Sequence, residues 1–209
     1  MKIALTLGDP SGIGPEIILK AVSRYRGQHE ITIYANRHVL EKTARDLRLL
    51  GELKKIQDNI IDCVKVSRFQ YGKPTVSTGQ AALQSIDAAL GSNVQVIITP
   101  PIVKEVVKHH LPNFIGHTEY FAAYYRVKQY AMIGIWRNKI IMLMTTHVPV
   151  RRVAQQISSR KIVEKIVLFD GSLKKSFAVL TPKIAVSAFN PHAFEFSCGE
   201  DERIADGIR

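Results

Sequence analysis

Short apolar runs of strand length alternate with longer segments of helical spacing along most of this 209-residue chain. Parallel strands need a crossover connection, commonly a helix, so this alternation is typical of an α/β protein. Helical patterns of this kind keep apolar residues on one stripe of the helix. The predicted strands are Lys2–Leu7, Ile31–Ala35, Val94–Thr99 and Lys183–Phe189.

Helical spacing fills most of the intervals between these strands. Thr78 is predicted to cap one helix, whose interior is Ala81–Leu90 and which Gly91 ends. The other predicted helices are Pro15–Ser23, His38–Leu50, Ile102–His110, Glu119–Val127 and Ser159–Phe169.

One segment interrupts the alternation. Ala131–Trp136 and Ile140–Thr145 flank the turn Arg137-Asn138-Lys139, a pattern that predicts a β-hairpin and hence a mixed sheet. The spacing pattern changes near Gly116, which predicts a first α/β domain over residues 1–115 and a second over 116–209. The final GEDERIADGIR begins like a helix, so we expect the fold to be incomplete at its C-terminus.

Composition narrows the class of protein. No apolar run approaches the roughly 18 residues that cross a bilayer, and Cys63 and Cys198 lack disulfide-framework or metal-pair spacing, which fits a reducing cytoplasm. The formal net charge is +11, but the basic residues are scattered and form no aromatic-interleaved stripe. A solvated basic surface that attracts anionic substrates is therefore favoured over a nucleic-acid-binding module, and no membrane contact is expected.

The segment GDPSGIGPEI, Gly8 to Ile17, follows a predicted strand and opens a predicted helix. Backbone N–H groups at such a turn, together with the helix dipole, attract an anion. The segment nevertheless lacks the third glycine of GxGxxG and the GK[ST] of a Walker A loop. Two interpretations remain open, a phosphate or carboxylate site and a purely structural tight turn.

The segment FIGHTEYF, Phe114 to Phe121, places Gly116, His117 and Thr118 immediately ahead of a predicted helix. Both side chains could hold a polar substrate by hydrogen bonds. The alternative is that Thr118 only caps the helix and His117 is a surface neighbour, an interpretation that local sequence slightly favours.

Two histidines follow predicted strands, His147 in IIMLMTTHVPV and His192 in KIAVSAFNPH. Ligands of open α/β sheets bind beyond the carboxyl ends of strands, and neutral imidazole is a common ligand of divalent metal ions. Separate loops give no diagnostic spacing, so hydrogen-bonded structural histidines remain the alternative.

Taken together, GDPSGIGPEI, IITPPIVKE, IGHTEYF, MTTHVPVRRV and KIAVSAFNPHA resemble the 4-hydroxythreonine-4-phosphate dehydrogenase family of pyridoxal phosphate (vitamin B6) biosynthesis. The resemblance implies a two-domain fold of the isocitrate/isopropylmalate dehydrogenase type, NAD or NADP as cofactor, and a homodimer with its active site at the interface. It implies substrate contacts for His117 and Thr118 and a role near substrate or cofactor for Lys104. It also implies that His147 and His192 bind a divalent metal ion such as Zn, Mg, Mn or Co, as two of three histidine ligands.

The family reaction that the resemblance implies is oxidation of 4-phosphohydroxy-L-threonine to 2-amino-3-oxo-4-phosphobutanoate, which decarboxylates to 3-amino-2-oxopropyl phosphate. Two alternatives stay open: a dehydrogenase of a related phosphorylated sugar acid (4-phosphothreonate or erythronate), and an inactive truncated remnant. A glycine-rich stretch usual in the family is replaced here by Phe194-Glu195-Phe196-Ser197, which cannot adopt glycine torsions. The third metal histidine is absent, so we expect this chain alone to be impaired.

Overall fold

The computed structural model describes residues 1–66 and 68–209. The chain forms two compact units, Met1–Tyr125 and Arg126–Arg209. These units divide after Tyr125. The predicted boundary between two domains near Gly116 stays a prediction.

The first unit is an α/β unit built on a parallel sheet, which confirms the α/β part of the predicted fold class. Its strands are β1 (Lys2–Thr6), β2 (Glu30–Ala35), β3 (Ile60–Asp62) and β4 (Val96–Ile98), in the order β3-β2-β1-β4, and every pair is parallel. Its helices are α1 (Gly14–Arg24), α2 (Arg37–Asp46), α3 (Leu50–Ile56), α4 (Val76–Leu90), α5 (Lys104–Val107) and α6 (His117–Tyr124).

Both faces of this sheet are covered, because successive strand residues point to opposite sides. Leu5 and Ile33 pack into a core that includes Ile18 of α1. Ala4, the residue before Leu5 in β1, points to the other face and belongs to a second cluster with Ala89 of α4. A strand pattern that is apolar on both faces is what a sheet buried between helices requires.

Two helix boundaries differ from the sequence prediction. Thr75, not Thr78, is the N-cap of α4, and the two side chains form a capping box with each other's backbone N–H groups. The predicted helix His38–Leu50 ends instead at Asp46. Arg48 is left-handed (φ 57°) and the Leu49 N–H donates to the Ala44 carbonyl over 2.7 Å, a Schellman closure that stops the helix before α3 begins.

The second unit contains the predicted hairpin, β5 (Ile133–Trp136) and β6 (Lys139–Met142), which pair antiparallel. It also contains α7 (Ser159–Ser176) and α8 (Glu200–Ile208), which pack together. Ile157, Ile162 and Ile204 form the core of this unit.

The strand prediction for Lys183–Phe189 is wrong, since the structure assigns no strand there. A groove separates Ile184–Ser187 from β6, so the segment has no neighbour with which to form a ladder. The predicted mixed sheet is also wrong for the described residues, because the parallel and antiparallel pairs belong to separate sheets.

Candidate functional site

The carboxyl ends of β1 and β4 lead into two loops that touch each other. These strands are parallel neighbours, so their loops leave the same edge of the sheet. The Asp9 N–H donates to the Pro101 carbonyl over 3.1 Å. Gly8 has a positive φ of 70°, and a Cβ there would lie 2.9 Å from the Pro101 oxygen. Only glycine allows both this torsion and this close approach.

The hydrogen bonds of the Gly8–Gly14 turn favour the structural interpretation of GDPSGIGPEI. Asp9 Oδ1 accepts from the backbone N–H and the hydroxyl of Ser11 at 2.8 and 2.6 Å. The Gly12 N–H donates to the Asp9 carbonyl. These donors are already satisfied within the chain and are not available to a bound anion.

Asp9 is a buried carboxylate that the sequence did not single out. It is only 2% exposed, and its Oδ2 has no hydrogen-bond partner among the described residues. A buried carboxylate with one oxygen that has no hydrogen-bond partner costs free energy, so this position is unusual. The signal in the sequence was an aspartate in the turn that follows a buried strand.

The start of α6 lies beside the end of the Lys104 side chain. Gly116 is the N-cap of this helix and no side chain caps it, so Thr118 is not the cap that the alternative interpretation required. A Cβ at Gly116 would lie 3.5 Å from Lys104 Nζ and 3.1 Å from Glu119 Oε2. The Lys104 ammonium and the Glu119 carboxylate therefore both lie close to the Gly116 backbone at the helix start.

His117 is half-buried rather than a surface neighbour. Its ring is flanked by Phe114 and Phe121, with centroids 6.4 and 6.0 Å away, and its Nε2 is buried with no hydrogen-bond partner in the described chain. Burial lowers the pKa of His117 below its usual value, and the charge of Lys104 lowers it further. The neutral form of the imidazole is thus favoured near pH 7.

Lys104 and His117 lie near each other at the start of α6, and Thr118 follows His117 in the first turn. Their role in substrate binding stays a prediction. A lysine ammonium and the uncapped N–H groups of a helix start both favour an anion. A neutral imidazole adds one hydrogen bond of fixed direction. This combination suits a phosphate group carried by a small molecule.

His147 and His192 both belong to the second unit and share an unusual backbone. Each is exposed and left-handed, with φ of 56°. His147 follows β6 at a short distance along the chain, and His192 begins a 3-10 turn, with its ring 6.0 Å from that of Phe196. A left-handed histidine is uncommon, and such torsions cluster at functional sites.

The described residues contain no group of three or more histidine, cysteine, aspartate or glutamate side chains placed to hold a metal ion. Neutral imidazoles suit zinc and similar ions. Two of them alone fall short of the three protein ligands of a catalytic zinc site.

Asp201 fixes the backbone just ahead of His192. Its carboxylate accepts from the Phe189 N–H at 2.8 Å and from the backbone and side-chain amides of Asn190 at 3.2 and 2.9 Å. Burial raises the pKa of Asp201, but these hydrogen bonds together outweigh it and leave the pKa below its usual value. In the sequence, Asp201 is only one of several acidic residues in GEDERIADGIR, and no motif singles it out.

The family model for the pyridoxal phosphate biosynthetic protein PdxA matches residues 27–208. The chain belongs to the PdxA family. Among PdxA-type relatives, the 4-hydroxythreonine-4-phosphate dehydrogenase of Sulfurihydrogenibium sp. is 33% identical over 92% of this chain and 64% of its own length. The enzyme of the same name from Synechococcus sp. (strain JA-3-3Ab) is 34% identical over 97% of this chain and 63% of its own length.

The fold agrees with the family assignment. The crystal structure of 4-hydroxythreonine-4-phosphate dehydrogenase from Klebsiella pneumoniae superposes with a TM-score of 0.82 at 25% identity, over 99% of this chain and 70% of that protein. The chain thus spans less than two thirds of the length of the two PdxA relatives above. None of the helices in residues 1–66 and 68–209 combines the length and apolar character needed to cross a bilayer.

Proposed function

We propose that this chain carries substrate- and metal-binding residues of an NAD(P)-dependent dehydrogenase that oxidises 4-phosphohydroxy-L-threonine at its C3 hydroxyl, in pyridoxal phosphate biosynthesis. The observation that carries the proposal is the buried Nε2 of His117, which has no hydrogen-bond partner among the described residues and lies near Lys104 at the start of α6. Family membership and the names of the relatives support it.

In the proposed reaction, Lys104 and His117 bind the substrate phosphate and Thr118 adds a hydroxyl hydrogen bond. Held in this way, the substrate presents C3 in one orientation, which lowers the entropic part of the barrier. The C3 hydride passes to NAD(P)⁺ and the hydroxyl proton is released. The product, 2-amino-3-oxo-4-phosphobutanoate, then loses CO₂ to give 3-amino-2-oxopropyl phosphate.

We propose His147 and His192 as two ligands of a divalent metal ion (Zn, Mg, Mn or Co). When bound, such an ion polarises the C3 hydroxyl and stabilises negative charge on its oxygen. We further propose that the two compact units correspond to the domains of the isocitrate dehydrogenase-type fold, and that the active protein is a cytoplasmic homodimer with its active site at the interface.

Substrate binding tests the phosphate site directly, and calorimetry with 4-phosphohydroxy-L-threonine measures it without requiring turnover. His117→Ala and Lys104→Met each remove a hydrogen bond to a charged group, worth about 1.5–3 kcal/mol, so binding should weaken roughly 10- to 100-fold. His109→Ala and Lys108→Met are matched controls on exposed positions of the same unit. Equal weakening by the controls would refute the site.

NADH or NADPH formation, followed with added zinc, magnesium or manganese, tests the reaction itself. The chain and the full-length Sulfurihydrogenibium enzyme are compared under the same conditions. Clear preference for 4-phosphothreonate would overturn the substrate assignment, and unchanged zinc affinity in a His147→Ala, His192→Ala double variant would overturn the ligand assignment.

A further inference from the structure

The helix α6, which begins with His117 and Thr118, buries little of its own surface. None of its eight residues is fully buried. A short helix gains most of its stability from packing, so one with little buried surface depends on individual contacts for its position. The contacts that fix α6 therefore also fix the His117 imidazole.

One hydrogen bond joins α6 to a longer helix of the same unit. The Tyr120 hydroxyl donates to Asp87 Oδ1 over 2.5 Å, between residues 33 positions apart in the chain. Burial raises the pKa of Tyr120, and the hydrogen bond to Asp87 raises it further, so the hydroxyl keeps the proton that it donates. Hydrogen bonds to a carboxylate are stronger than those between neutral groups. This bond ties α6 to the last turn of α4.

The same helix, α4, also holds α5, which begins with Lys104. The two helices pack together, and His110 Nε2, just after α5, lies 3.0 Å from the Val76 carbonyl oxygen at the start of α4. α4 itself packs on β1 and β2. One helix that is anchored on the sheet thus supports both the lysine and the histidine of the candidate site.

The ring of Phe114 connects Tyr120 to His117. Phe114 is buried, and its ring centroid lies 5.8 Å from that of Tyr120 and 6.4 Å from that of His117. Residues three positions apart share one side of a helix, so both rings of α6 meet this one side chain. A shift of Tyr120 therefore changes the packing of His117.

We propose that Tyr120 is a positioning residue, which holds His117 in its half-buried place through the hydrogen bond to Asp87. Without this bond, α6 packs less closely on Phe114 and the imidazole becomes more exposed to water. The part of His117 in substrate binding rests on the proposed function. Its position does not, because it can be measured without substrate.

Tyr120→Phe removes the hydroxyl but keeps the ring and leaves the charge of Asp87 in place. Nuclear magnetic resonance titration of His117 is the decisive measurement, because burial lowers the pKa of His117 in the unmodified chain. We expect this pKa to rise toward its usual value in Tyr120→Phe, with circular dichroism showing that the variant is folded. A hydrogen bond that only stabilised α6 would leave the titration unchanged, and that result would overturn the proposal.

Variants of the acceptor separate the hydrogen bond from other effects of the side chains. Asp87→Asn keeps an oxygen that accepts from Tyr120 and should leave the pKa of His117 close to that of the unmodified chain. Asp87→Ala should raise this pKa as Tyr120→Phe does, with no further rise when the two are combined. Tyr124→Phe, at a position that is 50% exposed near the end of α6, is the matched control. Additive rises in the combined variant, or equal rises in Tyr124→Phe and Tyr120→Phe, would contradict the assignment.

Calorimetry with 4-phosphohydroxy-L-threonine distinguishes this inference from the proposed function. If His117 binds substrate, Tyr120→Phe should weaken binding about threefold or more, but less than His117→Ala, since the imidazole is displaced and not removed. A raised pKa of His117 with unchanged affinity would support the positioning role and count against the phosphate site. An unchanged pKa with weakened affinity would overturn the positioning role and leave the phosphate site in place.

Discussion

Ser85 of α4 ties the carboxyl ends of two central strands together, and its removal makes a sharp test of the fold beneath the site. The Ser85 hydroxyl oxygen accepts from the Leu7 N–H at 2.7 Å and donates to the Tyr34 carbonyl at 2.6 Å. Ser85 is fully buried, so no water replaces the hydroxyl in a Ser85→Ala variant.

The expected loss of stability comes from the two backbone groups that Ser85→Ala leaves without their hydrogen-bond partner. A buried N–H without a partner costs about 1–3 kcal/mol, and the carbonyl of Tyr34 loses a donor as well. Alanine returns roughly 0.5 kcal/mol through its higher helix propensity. We therefore expect Ser85→Ala to lower the free energy of unfolding by about 2 kcal/mol.

Urea unfolding followed by far-ultraviolet circular dichroism measures the change, and hydrogen exchange at the Leu7 amide reports on the broken bond itself. Ser92→Ala is the matched control. Its hydroxyl donates only to the Ala89 carbonyl at the partly exposed end of the same helix, where water can take its place. A loss below about 0.5 kcal/mol in Ser85→Ala, or equal losses in the two variants, would refute the reasoning.

Two further predictions concern backbone space and protonation. Gly14→Ala should destabilise the first unit, because the added Cβ would lie 2.4 Å from the Leu7 carbonyl oxygen. A Cβ added at Gly171 in α7 would meet nothing within 4 Å, so Gly171→Ala should stabilise the second unit by about 0.5–1 kcal/mol. Urea unfolding measures both changes. His117 should titrate below its usual pKa by nuclear magnetic resonance, and Lys104→Met should raise that pKa. The pKa of His117 is lower in the folded state than in the unfolded state, so its contribution to stability is present above about pH 6.5. This contribution is lost as pH falls through the lowered pKa. A His117 that titrates at its usual pKa would contradict this prediction.

Much of the fold could be predicted because its signals are local. The apolar runs of β1 and β2 and the turn between β5 and β6 are visible in short windows of sequence. Whether two further segments form strands depends on which strand lies beside them, and a short window of sequence does not show this. β3 has three residues and exists because β2 lies beside it, whereas Lys183–Phe189 has a strand pattern but no strand with which to pair.

The candidate site divides in the same way. The family resemblance pointed to Lys104 and His117, and the structure places them near each other: Lys104 begins α5 after β4, and His117 begins α6. Their substrate role stays a prediction. The lowered pKa of His117 and the Gly116 N-cap depend on burial and backbone geometry that the motif does not encode. The left-handed torsions of His147 and His192 were equally absent from the sequence signal.

Two buried aspartates that the motifs did not reveal perform the same physical task in the two units. Asp9 accepts from Ser11 and shapes the turn after β1, and Asp201 accepts from Phe189 and Asn190 just ahead of His192. A strand-end loop has many backbone conformations, and ordering each residue costs about 1–2 kcal/mol. A carboxylate that accepts several amide hydrogen bonds offsets part of that cost and selects one conformation. Asp201 thereby orders the backbone just ahead of His192, and Asp9 orders the turn that contacts Pro101, three residues before Lys104.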